Sequence, residues 1–394
     1  MPRPPRAGFP QPKLIESTEA LQALCDRLAT EEFVTVDTEF MRERTYWPEL
    51  CVLQLGGSHE VAVIDAQVSG MDLAPLRILF ANPSVLKVFH AARQDVEIFV
   101  LRFGEVPKPL FDTQIAAMVA GFGEQAGYEA LVAALAGGTI DKAHRFSDWS
   151  ARPLSASQIA YAAADVTWLR TVYTRLRERL QQDDRLNWVA EEMAALADPA
   201  MYRADPDAMW ERLRPRSNNR RFLGMVQQLA AWREREAQRV NIPRQRLLRD
   251  ETLLEIAATV PGDPDTLARA RGISRGFAEG RTGTSLLAAI AEAKALPEEA
   301  LPEAPRARSN ARPSPALVSL LKVLLAAKCE DHHVAARLVA SSDDIDRLAT
   351  EDAPDIAALH GWRRDVFGED ALALKQGRMA LGVAGRRVKQ IAVD

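Results

Sequence analysis

The sequence predicts an α/β domain on a mixed sheet, followed by two small all-α domains. Three observations predict it. Strand-like runs alternate with helix-spaced segments from about residue 14 to residue 185. Beyond residue 217 no strand pattern survives, and apolar residues recur at helical spacing. A stretch with five prolines in twenty residues, Leu296 to Pro315, then divides the helical part in two. A chain of 394 residues is also long enough for more than one domain.

The opening MPRPPRAGFPQP is Pro-rich and lacks the apolar core of a signal peptide, so residues 1–13 read as a disordered tail. Thr18 to Leu28 has helical spacing, with Leu21, Leu24, Cys25 and Leu28 on one face. Phe33-Val34-Thr35-Val36 is β-branched and aromatic, a buried strand. CVLQLGG and EVAVIDA follow as two more strands joined by a hairpin-like Gly56-Gly57-Ser58-His59 connection. Helix and strand then alternate: a helix at Leu73 to Phe80, a strand at Ser84 to Phe89, a helix from about Gln94 to Phe103, and a strand at Pro109 to Phe111. Asp112 is placed to cap the next helix. Gly121 to Ser150 is loop-rich, and Ser155 to Leu180 is a long helix.

Residues 186–216 read as a connector, 217–297 as the first helical domain, 298–314 as a linker and 315–394 as the second. The two helical domains look like weak repeats. RDETLLEIA (Arg249 to Ala257) parallels SSDDIDRLA (Ser341 to Ala349), and Arg271-Gly272 to Phe277 parallels His360-Gly361 to Phe367.

Composition narrows the class. Hydrophobic residues are 47% and charged residues 26%, which suits a soluble globular chain with ample core, and no apolar run reaches membrane-span length. Three widely spaced cysteines form no C-x-x-C pair, so buried thiols in a reducing cytosol are expected, with no zinc site. The net charge of −4 hides an asymmetry: Arg203 to Arg249 holds twelve Arg, no Lys and five acids, a balance of +7 that leaves −11 elsewhere. Such a segment either grips a polyanion or forms a solvated helix face.

Asp37 and Glu39 end the first strong strand. Period 2 points both the same way, and like charges held that close require a cation or a proton between them. A divalent metal suits an all-oxygen donor set, and a solvated strand end is the plainer alternative. Asp95 lies just past the strand ending at Phe89, where α/β proteins build sites, or else simply caps its helix. Tyr161 and Asp165 are spaced i, i+4, side by side on one helical face, with small Ala162, Ala163 and Ala164 between them.

DTEF, HAARQDVE and YAAADV, in this order, resemble the three motifs of the DEDD superfamily of 3′→5′ exonucleases, on a ribonuclease-H-like (DnaQ-like) fold. Tyr161, four residues before the last Asp, matches the DEDDy subgroup. RTYWPELCVLQL, FGEVPKPLFDTQ and SDWSARPLSASQIAYAAADV are similar to the ribonuclease D family from about Leu14 to Leu180. The helical domains, with Asp250-Glu251-Thr252-Leu253 in the first, resemble HRDC domains, two of which occur in tandem in that family.

The resemblance implies a metal-dependent 3′→5′ exoribonuclease that releases nucleoside 5′-monophosphates by two-metal hydrolysis. Its partners would be RNA: tRNA precursors and other structured 3′ ends. Asp37, Glu39, Asp95 and Asp165 would hold two Mg²⁺ or Mn²⁺ ions, and Tyr161 would orient the attacking water. Phe40, Gln54, His90 and Arg152 are candidate nucleic-acid contacts, with core packing for Phe40, strand-end capping for His90 and loop shaping for Arg152 as the structural alternatives. A DNA exonuclease would use the same carboxylates, and a non-catalytic RNA-binding scaffold would be expected to lack one. A cytoplasmic monomer, away from membranes, completes the expectation.

Overall fold

The computed structural model describes residues 11–141, 143–145, 147–213, 215, 217–303 and 313–393. The chain divides into two compact units. The first holds residues 1–40, 50–202 and 311–394, and the second holds residues 41–49 and 203–310. The expected tail overlaps a strand, because Pro12–Ile15 form β1, and the remainder of that expectation falls on residues 1–10, outside the described residues.

The first unit carries a six-stranded sheet in the order β1-β4-β3-β2-β5-β6. Here β2 is Phe33–Met41, β3 Glu49–Gly56, β4 Val61–Asp65, β5 Leu86–Phe89 and β6 Leu110–Asp112. The sheet is mixed, as expected: β3 runs antiparallel to β4, while β1–β4, β2–β5 and β5–β6 are parallel. The parallel pairs are reached through helices, α1 (Thr18–Leu28), α2 (Ala74–Ala81) and α3 (Arg93–Phe103). Ser17 caps α1, its hydroxyl accepting from the Ala20 N–H, and Leu21, Leu24, Cys25 and Leu28 are the buried face read from the sequence. Gly104 ends α3 at φ +76, a left-handed turn in which a Cβ would be strained.

Asp112 caps α4 (Thr113–Val119) and ties more than that helix. Its carboxylate accepts from the Gln114, Ala91 and Ala92 N–H groups, joining β6 to the turn before α3. The short helix α5 (Tyr128–Leu131) precedes α6 (Ala156–Gln182), which Ser155 and Gln158 start with a reciprocal capping box. α7 (Leu186–Leu196) is no free connector, since Val189, Met193 and Leu196 are buried in the sheet domain's core. Each such buried aliphatic side chain contributes about 1.5–3 kcal/mol relative to exposure.

The C-terminal helical part has its own core, from Leu321 to Leu374, and belongs to the same unit. Trp188 of α7 stacks on Trp362 at 4.5 Å, and Arg363 pairs with Glu192. The repeat reading places Ser342–Thr350 opposite Asp250–Thr259, and both are helices. This part departs from the all-helical expectation, because Met379–Ala384 (β7) and Arg387–Ala392 (β8) form an antiparallel hairpin. Two six-residue strands bury too little to show a strong period-2 apolar pattern, so the sequence hid them.

The second unit is helical around α8 (Arg220–Val240), with Met225, Leu229 and Trp232 buried and Phe222 half-buried. Most of the linker expectation falls on residues 304–312, outside the described residues, but Leu301 is buried. The arginine-rich stretch is largely consumed within this unit. Arg233 pairs with Asp250, Arg235 with Asp207, Arg239 with Glu236, and Arg244 with the fully buried Glu234. Arg220 donates to the Glu298, Leu301 and Pro302 carbonyls. Tyr46 also donates to Glu234, while the Trp47 indole donates to the Gln238 carbonyl. This is where the Tyr46-Trp47 pair of the family-like RTYWPEL segment goes.

Candidate active site

Strand β2 lies inside the sheet, between β3 and β5, and its period 2 sets the half-buried Asp37 and Glu39 on one face. Helix α6 is pinned against it. Thr35 donates its hydroxyl to the Val166 carbonyl at 2.7 Å, and the Arg170 guanidinium reaches the Phe33 and Gly56 carbonyls at 3.1 and 3.0 Å. Gly56 permits this approach, since a Cβ there would come within 2.4 Å of Thr35 Oγ1 and 3.2 Å of the Val166 carbonyl. Tyr128 of α5 donates to the Asp165 carbonyl and fixes that turn. The result brings Asp165 from α6 to Asp37 and Glu39: each offers a carboxylate oxygen, and these oxygens lie within 4.8 Å of one another.

Asp95, in the first turn of α3, lies outside that group of three. Its carboxylate accepts from the hydroxyl of Thr38, the residue between Asp37 and Glu39, so the fourth acid is tied to the same strand. Tyr161 stands half-buried one turn before Asp165, its ring 6.0 Å from those of Trp149 and His144.

The electrostatics are those of like charges crowded out of water. Burial pushes the Asp37 carboxyl up to about 7. Burial, then Asp37, Asp165 and Asp95, push Glu39 to about 9. Asp95 and Asp165 are raised by burial and by Asp37. Burial and the carboxylates of Asp165, Glu39 and Asp37 hold the Tyr161 phenol above its usual range, so it keeps its proton. Among the described residues, no cation offsets the raised carboxyls of Asp37, Glu39, Asp95 and Asp165. An all-oxygen set of converging carboxylates is the donor chemistry of Mg²⁺ and Mn²⁺, and the residues present fit such ions.

The weaker candidates separate. Gln54 is fully buried on β3, and neither of its amide atoms has a partner among the described residues, so it offers no surface to a nucleic acid. Arg152 does not reach out for phosphate. It grips Asp65 with two nitrogens at 2.6 and 2.7 Å and donates to the Trp149 and Cys51 carbonyls. His90 is half-buried, its Nδ1 3.0 Å from Thr113 Oγ1, and burial lowers its pKa to about 4, which keeps it neutral. Phe40 is half-buried against the sheet core. The sequence did not point to Thr38, Thr35 or Tyr128, because each acts through a partner distant in the chain.

A six-stranded mixed sheet with an acidic cluster on its inner strand and a helix-borne tyrosine beside it defines a 3′→5′ exonuclease. A family model described as 3′-5′ exonuclease matches residues 12–181, and the HRDC domain model matches residues 222–290. Among curated proteins, the ribonuclease D of Granulibacter bethesdensis is 67% identical over 392 residues, 99% of each chain. That of Acidiphilium cryptum is 66% identical over 387 residues, 98% of this chain and 99% of the relative. The crystal structure of Escherichia coli RNase D, described as an exoribonuclease involved in structured RNA processing, superposes with a TM-score of 0.81. It is 30% identical and spans 93% of this chain and 99% of that one. The chain belongs to the ribonuclease D family and is a 3′→5′ exoribonuclease.

Proposed function

We propose that this exoribonuclease trims the 3′ ends of structured RNA, tRNA precursors foremost, releasing nucleoside 5′-monophosphates in the cytoplasm as a monomer. The single observation that carries the catalytic reading is the convergence of Asp37, Glu39 and Asp165 with no compensating charge among the described residues. Asp37, Glu39 and Asp165, with Asp95 acting directly or through water, would hold two divalent ions, Mg²⁺ or Mn²⁺. When bound, such ions activate a water and neutralise charge on the phosphoryl group and the leaving oxygen.

The chain's own residues do the rest. Asp37 would help to hold both ions. Glu39 and Asp165 would complete the site of the ion that activates water, and Glu39 would also accept from the terminal 3′-hydroxyl. Tyr161 holds its proton, so it orients that water by hydrogen bonding and does not abstract from it. The Thr38–Asp95 bond keeps the fourth carboxylate aimed while the strand carries the other two. Phe40, next to the acid pair, would pack against the terminal base. The RNA preference rests on the relatives' activity, and discrimination would act through the 2′-hydroxyl.

A 5′-labelled tRNA precursor with a short 3′ trailer, beside single-stranded DNA of similar length, tests this. Each is incubated with Mg²⁺, Mn²⁺ or EDTA. The expected result is a metal-dependent ladder that shortens from the 3′ end of the RNA. Equal or better shortening of the DNA would instead favour a DNA exonuclease.

A further inference from the structure

The carboxylate site makes no use of the C-terminal hairpin. From Arg378 to Val393 the chain carries four cations (Arg378, Arg386, Arg387, Lys389) and no acid, so the rest of the chain totals −8. The hairpin has an inner and an outer face. Met379 and Leu381 of β7 pack on the C-terminal core, and their register partners in β8 are Ala392 and Gln390. The outer face carries Arg387, Lys389 and Ile391, all exposed, opposite Ala384, Gly382 and Ala380 of β7. Gly385-Arg386 makes the turn, with Gly385 at φ +64, and puts an exposed Arg386 at the tip.

Among the described residues, Arg386, Arg387 and Lys389 form no ion pair, whereas five of the arginines between Arg203 and Arg249 do. Arg387 and Lys389 are two residues apart on one strand, so their heads repeat at about 6.6 Å. That repeat is of the order of the separation between successive phosphates of an extended strand. Small residues on β7 keep the flank of this cationic row low, so a polymer can lie along it.

We propose that the outer face of the β7–β8 hairpin is an RNA-binding surface that holds the substrate's phosphate backbone, separate from the carboxylate site. The occupant is a single-stranded segment of RNA, identified by charge complementarity with the polyanion on which the enzyme acts. Binding there is independent of sequence and raises affinity without touching the chemistry.

The test compares three full-length chains: the wild type, R386Q/R387Q/K389Q, and the charge-preserving R386K/R387K. Affinity for a fluorescently labelled 30-nucleotide RNA is measured in EDTA, which prevents cleavage, across a series of salt concentrations. Because the Gln variant can no longer neutralise three phosphates, its log–log salt slope becomes shallower by about 2, at about 0.7 per phosphate on a single strand. The Lys variant keeps the wild-type slope, and all three degrade a trinucleotide at the same rate with Mg²⁺. Arg235→Gln, which removes a cation already paired with Asp207, leaves the slope unchanged. A Gln variant with wild-type affinity and slope would overturn the proposal. So would a Lys variant as weak as the Gln variant, which would mean that the hairpin's shape matters and its charge does not. A change confined to sedimentation behaviour would also overturn it and make the face a protein contact instead.

Discussion

The Asp37–Glu39–Asp165 cluster and the arginines between Arg203 and Arg249 are both concentrations of like charge, and the fold treats them oppositely. The carboxylates converge within 4.8 Å with no cationic partner among the described residues, and burial with mutual repulsion lifts their pKa values. The arginines are distributed among acids and carbonyls: Arg233 on Asp250, Arg244 on Glu234, Arg220 on three main-chain oxygens. The sequence offered a plain alternative for each, a solvated strand end for the acids and a solvated helix face for the arginines. What separates them is compensation, because charge left unbalanced costs stability and persists where a ligand supplies the missing counter-charge.

Removing charge from each region should therefore have opposite consequences. The largest effect is expected from Asp37→Asn, which takes a carboxylate from the centre of the acidic cluster. The exonuclease rate falls by at least about a thousandfold, equivalent to about 4 kcal/mol, while the melting temperature holds or rises because a repelling charge is gone. Stopped-time RNA degradation and a thermal scan measure both. Arg244→Leu does the reverse. It leaves the fully buried Glu234 without its cation and costs about 3 kcal/mol or more, read as a lower urea midpoint of the helical unit.

The comparison sharpens with pH. In the metal-free chain the folded-state carboxyl of Asp37 titrates at about 7 against 3.8, and that of Glu39 at about 9 against 4.5. Below both reference values the two states are protonated alike and nothing is lost. As pH rises, the unfolded chain ionises first, so stability falls from about pH 4 towards 7 for Asp37 and towards 9 for Glu39. A divalent ion favours the ionised cluster, so the rise in melting temperature on adding Mg²⁺ should grow over the same window. Differential scanning calorimetry at pH 5, 7 and 8.5 checks this. A smaller effect is expected from Tyr161→Phe, which keeps the ring and removes the hydroxyl. Turnover falls by about ten- to a hundredfold with little change in RNA affinity, as the proposed orienting role requires.

Much of the site was legible because its spacing is local. Period 2 joined Asp37 to Glu39, and i, i+4 joined Tyr161 to Asp165, so each pair could be read from its own element. What joins the pairs is long-range and was not legible. The Thr35–Val166 and Tyr128–Asp165 bonds link residues 131 and 37 apart, and Gly56 matters only because α6 passes over it. Arg152 shows the same limit from the other side: an arginine near the third motif suggested phosphate, and only the fold reveals Asp65 beneath it. The β7–β8 hairpin was missed because an outer face of Arg387, Lys389 and Ile391 carries no clean alternation of apolar and polar residues.

The most direct test of the view that unbalanced carboxylates make this site is calorimetric titration of Mn²⁺ into the metal-free protein at pH 7. Two buffers of different ionisation heat report the protons exchanged. Saturable binding with net proton release is predicted, as the ions take over from protons shared by the crowded acids, and both should be lost in Asp37→Asn. Binding without proton release, or binding unchanged in Asp37→Asn, would contradict that view.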